Sequence, residues 1–215
     1  MADASAFYPD VLVETAGCSE PLIDRSVIRS IIRFSEMTLC HKTMAVSQQA
    51  SLNTLDYNLT LTETQCRVVR IMEAFYGKRR MLPMPEDEIA LAGLYNPSIS
   101  VETGMPHVYF SKEHGKITVY PKPVKATDLD TLLVRVAIAP TMDATAFDAR
   151  FSNQYYEGIL HGSLFMLLSI PNKPWTDPRT AKYHELEFMR HVNRVKNDQA
   201  LGNVRSDRQV RFVKV

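Results

Sequence analysis

Five side chains in the last third of the chain, Glu157, His161, His184, Glu187 and His191, have the types and spacing for metal or acid–base chemistry. Glu157 with His161, and Glu187 with His191, are i,i+4 pairs, and His184 lies further up the same segment as the second pair. Two antiparallel helices would bring these groups together, and carboxylate–imidazole sets do hold iron or zinc inside helical bundles. Dinuclear bundle sites use Glu-x-x-His spacing, however, and the chain lacks it. Exposed i,i+4 Glu–His pairs are common and stabilise a helix by only about 0.2–0.5 kcal/mol. A metal-binding helical enzyme or ligand-binding domain built on these five residues is therefore the alternative reading, and no metal, cofactor or catalytic residue is assigned.

Other chemical signatures are missing. There is no G-x-G-x-x-G, phosphate-binding loop, H-E-x-x-H or paired C-x-x-C. Gly162-Ser163 resembles a nucleophile elbow only in part, because Gly is absent two residues after Ser163. Gly158 and Gly162, four apart, instead form a small-residue face that lets another helix approach closely. Cys40-His41 offers a thiol beside an imidazole, but no orienting partner can be named, which reads as a structural cysteine. Trp175, between Pro174 and Pro178, reads as a packed loop anchor.

The C-terminus has a different character. Residues 203–215 carry Arg205, Arg208, Arg211 and Lys214 against a single acid, interleaved with Val204, Val210, Phe212, Val213 and Val215. Such a strip is too apolar for a solubilising tail. Extended, it can add to a partner's sheet edge or lie in its cleft. The spacing therefore makes it an intermolecular docking segment, with folding back as an edge strand as the plainer possibility.

The elements that position these groups follow from periodicity. Residues 1–18 read as an irregular arm. A helix over about 19–40 starts at Ser19 as cap with Pro21 in its first turn, and carries Leu22, Val27, Ile28, Ile31, Ile32 and Phe34. A β-rich stretch spans about 45–139. In it, Tyr57, Leu59 and Leu61 alternate with polar residues, and 66–75 is a strand turning at Gly77-Lys78 into a return strand that begins at Met81-Leu82. A short helix follows Pro85 to about Leu94. A hairpin pairs 106–110 with 116–120 around Glu113-His114-Gly115, and a further strand ends at Pro140. Phe147, Phe151, Tyr155 and Ile159 predict one helix over 147–170. A last helix over 177–201 has Thr176 as cap and stops near Gly202. The fold class is α+β: a helical bundle of one N-terminal and two C-terminal helices, an inserted antiparallel β region, and an extended tail. Residues 1–202 make one domain and 203–215 a docking tail.

The chain has 215 residues with 25 Lys+Arg against 24 Asp+Glu, a net charge of +1. That balance excludes the strongly basic composition of non-specific nucleic-acid binders. No apolar run reaches the length of a membrane span, no secretory signal is apparent, and three scattered cysteines suit a reducing compartment.

Taken in order, several segments resemble the head-to-tail adaptor (connector or joining) proteins of short-tailed bacteriophages. They are Leu82-Pro83-Met84-Pro85-Glu86-Asp87-Glu88, Gly104-Met105-Pro106-His107-Val108-Tyr109-Phe110 and Ile117-Thr118-Val119-Tyr120-Pro121-Lys122-Pro123. The helix from Tyr156 to Leu164 and the loop Pro171-Asn172-Lys173-Pro174-Trp175-Thr176-Asp177-Pro178 continue the likeness, while the first 80 residues match only in character. The resemblance implies a non-enzymatic virion structural protein of the neck, assembled in the host cytoplasm. It implies a homo-oligomeric ring, typically of about twelve copies, closed by complementary faces. It also implies contact with the portal protein and with a tail or nozzle protein, and a channel through which duplex DNA passes without specific binding, with no membrane partner. By the same resemblance the portal-binding residues are Val204, Arg205, Arg208, Val210, Arg211, Phe212, Val213, Lys214 and Val215. The runs Lys78-Arg79-Arg80 and Glu86-Asp87-Glu88 are of opposite sign, so they could pair across such a ring interface or simply be solvated.

Overall fold

Phe7 and Val11 stand four residues apart with Pro9 between them, and this spacing makes the N-terminus helical rather than irregular. In the computed structural model, which describes residues 2–49, 55–91, 103–123 and 131–200, a 3-10 turn over Ala4–Phe7 leads into α1, Tyr8–Glu14. Phe7 and Val11 are fully buried, and Pro9 occupies the first turn, where its missing N–H costs no hydrogen bond. Gly17, at φ 83°, then turns the chain out. The irregular arm expected over residues 1–18 is thus largely helical. In α2, Glu20–Thr38, Pro21 again sits in the first turn, and Ile23, Val27, Ile31 and Phe34 form the buried stripe. Ser19 does stand at the cap position, but its side chain makes no capping hydrogen bond; its carbonyl accepts from Leu22 and Ile23 instead.

The chain divides into two compact units, residues 41–147 and residues 1–40 with 148–215. The first is β-rich. Its strands are β1 (Lys42–Gln49), β2 (Asp56–Asn58), β3 (Cys66–Tyr76), β4 (Arg79–Arg80) and β5 (Leu82–Pro83). After α3 (Glu86–Leu91) come β6 (Val108–Phe110), β7 (Lys116–Tyr120) and β8 (Thr131–Pro140). They form two four-stranded sheets, β1-β8-β3-β4 and β2-β7-β6-β5. One shared core contains Val68, Val134, Val136 and Ile138 from the first sheet and Tyr57, Tyr109, Ile117 and Val119 from the second, so the sheets pack face to face. Ile89 of α3 joins Val108, Phe110 and Tyr120 in a smaller cluster on the outer face of the second sheet. Both faces of the β6–β7 hairpin are therefore covered, which is why its residues are apolar at successive positions.

Three local expectations change. The return strand after Gly77 is the pair Arg79–Arg80; Met81 still donates its N–H to Ala74, and the chain then crosses to the other sheet at Leu82. There β5 runs parallel to β6, so the β region is not wholly antiparallel. The alternation at Tyr57, Leu59 and Leu61 yields only the three-residue β2, with Leu59 and Leu61 packing on the core outside any strand. The continuation of α3 toward Leu94 lies outside the described residues.

The second unit carries α1, α2 and three later helices: α4 (Arg150–Asn153), α5 (Tyr156–Leu168) and α6 (Pro178–Ala200). The single helix expected over 147–170 is interrupted. Asp148 accepts from the Arg150 N–H and starts α4, and the Gln154 and Tyr155 N–H groups both end on the Arg150 carbonyl, which closes the turn before α5. Within the unit α5 packs against both α2 and α6, which accounts for a helix that is apolar nearly all round. Asp177 rather than Thr176 caps α6, accepting from the N–H groups of Arg179 and Thr180. The Thr176 hydroxyl is occupied instead with Lys173 N–H and the Ile170 carbonyl. Asp177→Ala should lower the melting temperature by about 2–4 °C, while Asp177→Asn keeps most of it; Thr176→Ala and Asp177→Ala compared by thermal melting check which residue is the cap.

Candidate functional site

Gly158 and Gly162 lie on the faces of α5 that meet its neighbours. A Cβ on Gly162 would fall 2.2 Å from Ser30 Oγ and 2.7 Å from the Phe188 ring, inside any tolerable contact. One on Gly158 would lie 3.0 Å from the Phe34 ring and 3.1 Å from His191 Cβ. Close approach lets Ser30 of α2 donate its hydroxyl hydrogen to the Ile159 carbonyl at 2.9 Å. Phe188 of α6 meets Phe34 edge-on at 6.1 Å, and the Arg33 guanidinium lies 5.5 Å from the Phe188 ring centroid. Ser163, the residue of the partial nucleophile motif, is fully buried mid-helix and donates to the Ile159 carbonyl. Cys18 and Cys40 are buried and Cys66 is half-buried; burial pushes the Cys18 thiol up, away from a reactive thiolate.

The five candidate metal residues separate into different roles. His161 and His184 do meet, Nδ1 to Nδ1 at 2.7 Å, and the His191 ring lies 5.9 Å from that of His161. His184, buried, places its Nε2 2.8 Å from the Glu14 carboxylate. Glu187 pairs with Arg190 along α6, and Glu157 is exposed. Among the described residues no three His, Cys, Asp or Glu groups come together as a metal site requires. The metal-centre alternative is therefore corrected to a hydrogen-bonded chain, Glu14–His184–His161. Burial and the neighbouring His184 and His191 hold the His161 imidazole below its ordinary value, against the opposing pull of Glu157 and Glu187. Sequence pattern does not reveal Glu14, which lies 170 residues from His184 in a stretch whose small residues and Gly17 predict an irregular arm.

Two surfaces remain. On the helical unit, Val13 of α1 and Tyr183 and Leu186 of α6 are large apolar side chains left exposed. On the β unit, an open groove of about 680 Å³ runs between β3 and the β5–β6 edge, with Met84 and Tyr109 beside Arg70, Glu86, Lys112 and His114. Its charges are of mixed sign, and Lys112 pairs with Glu86 at 2.5 Å. In the basic run Arg80 pairs with Glu73 at 3.1 Å, whereas Lys78 and Arg79 face outward. The Trp175 indole N–H is buried and has no acceptor among the described residues. The tail residues Val204, Arg205, Arg208, Val210, Arg211, Phe212, Val213, Lys214 and Val215 lie outside the described residues. No helix among those described is long and apolar enough to cross a membrane.

Comparison with known proteins supplies the family. No curated protein matches the chain. A family model described as SU10 adaptor protein matches residues 8–211, nearly the whole length and both units. The chain thus belongs to the SU10 adaptor protein family and is a bacteriophage head-to-tail adaptor.

Proposed function

We propose that this adaptor assembles into a ring between the portal and the tail of the virion and carries the DNA channel across the junction. The match to the adaptor family over residues 8–211 carries the reading. A closed ring needs two different faces of one subunit that are complementary to each other. The helical unit, with Val13, Tyr183 and Leu186 exposed, offers apolar anchors for side-to-side helix packing. The β unit, with its open groove, is the surface we assign to the tail or nozzle protein. Residues 203–215, basic and apolar, are assigned to the portal. A net charge of +1 suits a channel wall along which DNA must slide, since many phosphate contacts would hold it.

Electron microscopy of the purified protein, alone and mixed with portal rings, tests the ring. Deleting residues 203–215 should leave a folded subunit and abolish co-sedimentation with portal rings. A truncated protein that still sediments with them would contradict the assignment of the tail, and a protein that remains monomeric beside portal rings would contradict the ring itself.

A further inference from the structure

Strand β3 is paired along its length on one edge only. On that edge β8 runs beside it from Cys66 to Tyr76. On the other, β4 covers Phe75 and Tyr76, and Met81 donates its N–H to the Ala74 carbonyl. The chain then crosses to the second sheet, where β5 lies along Val108 and Tyr109 of β6 and Met84 donates to the Tyr109 carbonyl. Among the described residues nothing continues β4 along β3, so residues 68–73 keep an open edge. In an antiparallel strand every second residue turns both its N–H and its C=O to such an edge, and the row is a template for one more strand.

The groove of the β unit lies on this edge. Val69, Arg70 and Ile71 all line it. Successive strand residues point to opposite faces, so a groove that meets three in a row meets the strand from its side. Pro83, Met84, Pro85 and Tyr109 form the other wall. One extended segment fits between the walls, whereas the edge of a second sheet would drive its next strand into Pro83 and Met84. Bulges between Val68 and Arg70 and between Ile71 and Glu73 twist β3 further, which also opposes edge-to-edge pairing of two copies.

Charge narrows the occupant. Glu73 is held by Arg80 and Arg135, and Glu86 by Lys112. Arg70 is exposed and has no acidic partner among the described residues, and His114 lines the same groove. The missing carboxylate has to come from the incoming segment. The chain's own residues 203–215, with four basic groups and one acid, carry the wrong sign.

We propose that residues 68–73 of β3 take up an extended acidic segment of the tail protein as an added strand. The segment is about six residues long, sets apolar side chains against Ile71, Met84 and Tyr109, and places a carboxylate on Arg70. Backbone hydrogen bonds supply the affinity, and Arg70 selects the partner. The inference rests on the assignment of the β unit to the tail protein.

Residue-resolved hydrogen exchange on the full chain, alone and with purified tail protein, tests the slot. Alone, the outward amides of residues 68–73 should exchange at least about tenfold faster than those of β8, which has a strand on both sides. An excess of tail protein should slow them about tenfold. Arg70→Glu should fold, because the side chain is exposed, and should bind tail protein about tenfold more weakly. Outward amides already as slow as those of β8 in the free protein overturn the proposal. Unchanged amides in a complex that does form, or undiminished affinity in Arg70→Glu, overturn it too, while leaving the tail protein on the β unit. A tail protein that does not bind ends that assignment instead. The slot is then judged with a synthetic peptide alternating valine and glutamate: slowing of the same amides at about 1 mM supports it, and no slowing overturns it. A peptide of residues 203–215 that slows them equally gives the slot to the chain's own tail and overturns the choice of partner.

Discussion

Alanine in place of Gly162 is expected to destabilise the helical unit by about 1–2 kcal/mol, and valine there to unfold it. The helix-propensity gain of about 1 kcal/mol for Gly→Ala works the other way, so the clash has to outweigh it. It does so because neither neighbour can move aside. Ser30 Oγ, 2.2 Å from the added carbon, is fully buried and committed to the Ile159 carbonyl. The Phe188 ring, 2.7 Å away, is wedged against Phe34 and under Arg33. Gly158→Ala meets contacts of 3.0 and 3.1 Å, at the margin of what real structures show, and its cost should nearly cancel against the propensity gain. Adding Ser30→Ala to Gly162→Ala removes the nearest atom and should recover about 1 kcal/mol as a coupling energy. Urea unfolding followed by Trp175, the sole tryptophan and one that lies between α5 and α6 in the chain, reads the wild type, these variants and Ser30→Ala alone, which the coupling energy requires. A Gly162→Ala protein as stable as wild type would mean that α2, α5 and α6 do not approach this closely.

The parts of this fold that were legible are those whose signals are local. The stripe Val27, Ile31 and Phe34 marked α2, and Ala181, Phe188, Val192 and Val195 marked α6; all of these are buried. The β6–β7 hairpin was visible in its apolar runs around Gly115, which takes φ 83° as a turn glycine should. What local pattern cannot carry is long-range pairing. Nothing in Leu82-Pro83 says that the chain leaves one sheet for another or runs parallel to Val108-Tyr109. A helical signal at the N-terminus did exist in Phe7, Pro9 and Val11, but small residues and Gly17 outweighed it. Asp177 and Thr176 are both good caps, and only the geometry of the Pro171–Thr176 loop decides between them. The histidine chain was half visible: His161 and His184 were singled out for their type, while the group that fixes their tautomers, Glu14, is remote in sequence. The family was legible in the order of segments such as residues 104–110, 117–123 and 171–178, each weak alone, and the family match over residues 8–211 agrees with it.

Phe188→Ala should have the largest effect of any single truncation proposed for the helical unit, about 3–5 kcal/mol. Phe188 is 1% exposed and touches every neighbour that matters: Phe34 at its edge, Arg33 beside its face, and Gly162 against its side. Removing the ring leaves a void that Gly162 has no side chain to fill, and Phe34 loses the aromatic partner that helps hold α2 to α6. A loss of that size is a large share of the total stability of a domain, so much of the helical unit should be unfolded at 37 °C. Phe188→Leu, which keeps most of the volume, should recover more than half. The decisive variant is the pair Phe188→Ala with Gly162→Ala. Each change alone is destabilising, yet the added methyl group enters space the ring has vacated, so the double variant should be more stable than the sum of the two by about 1 kcal/mol. Additive losses would show that Gly162 and Phe188 do not share one contact, and the packing of α5 on α6 would then have to be drawn differently.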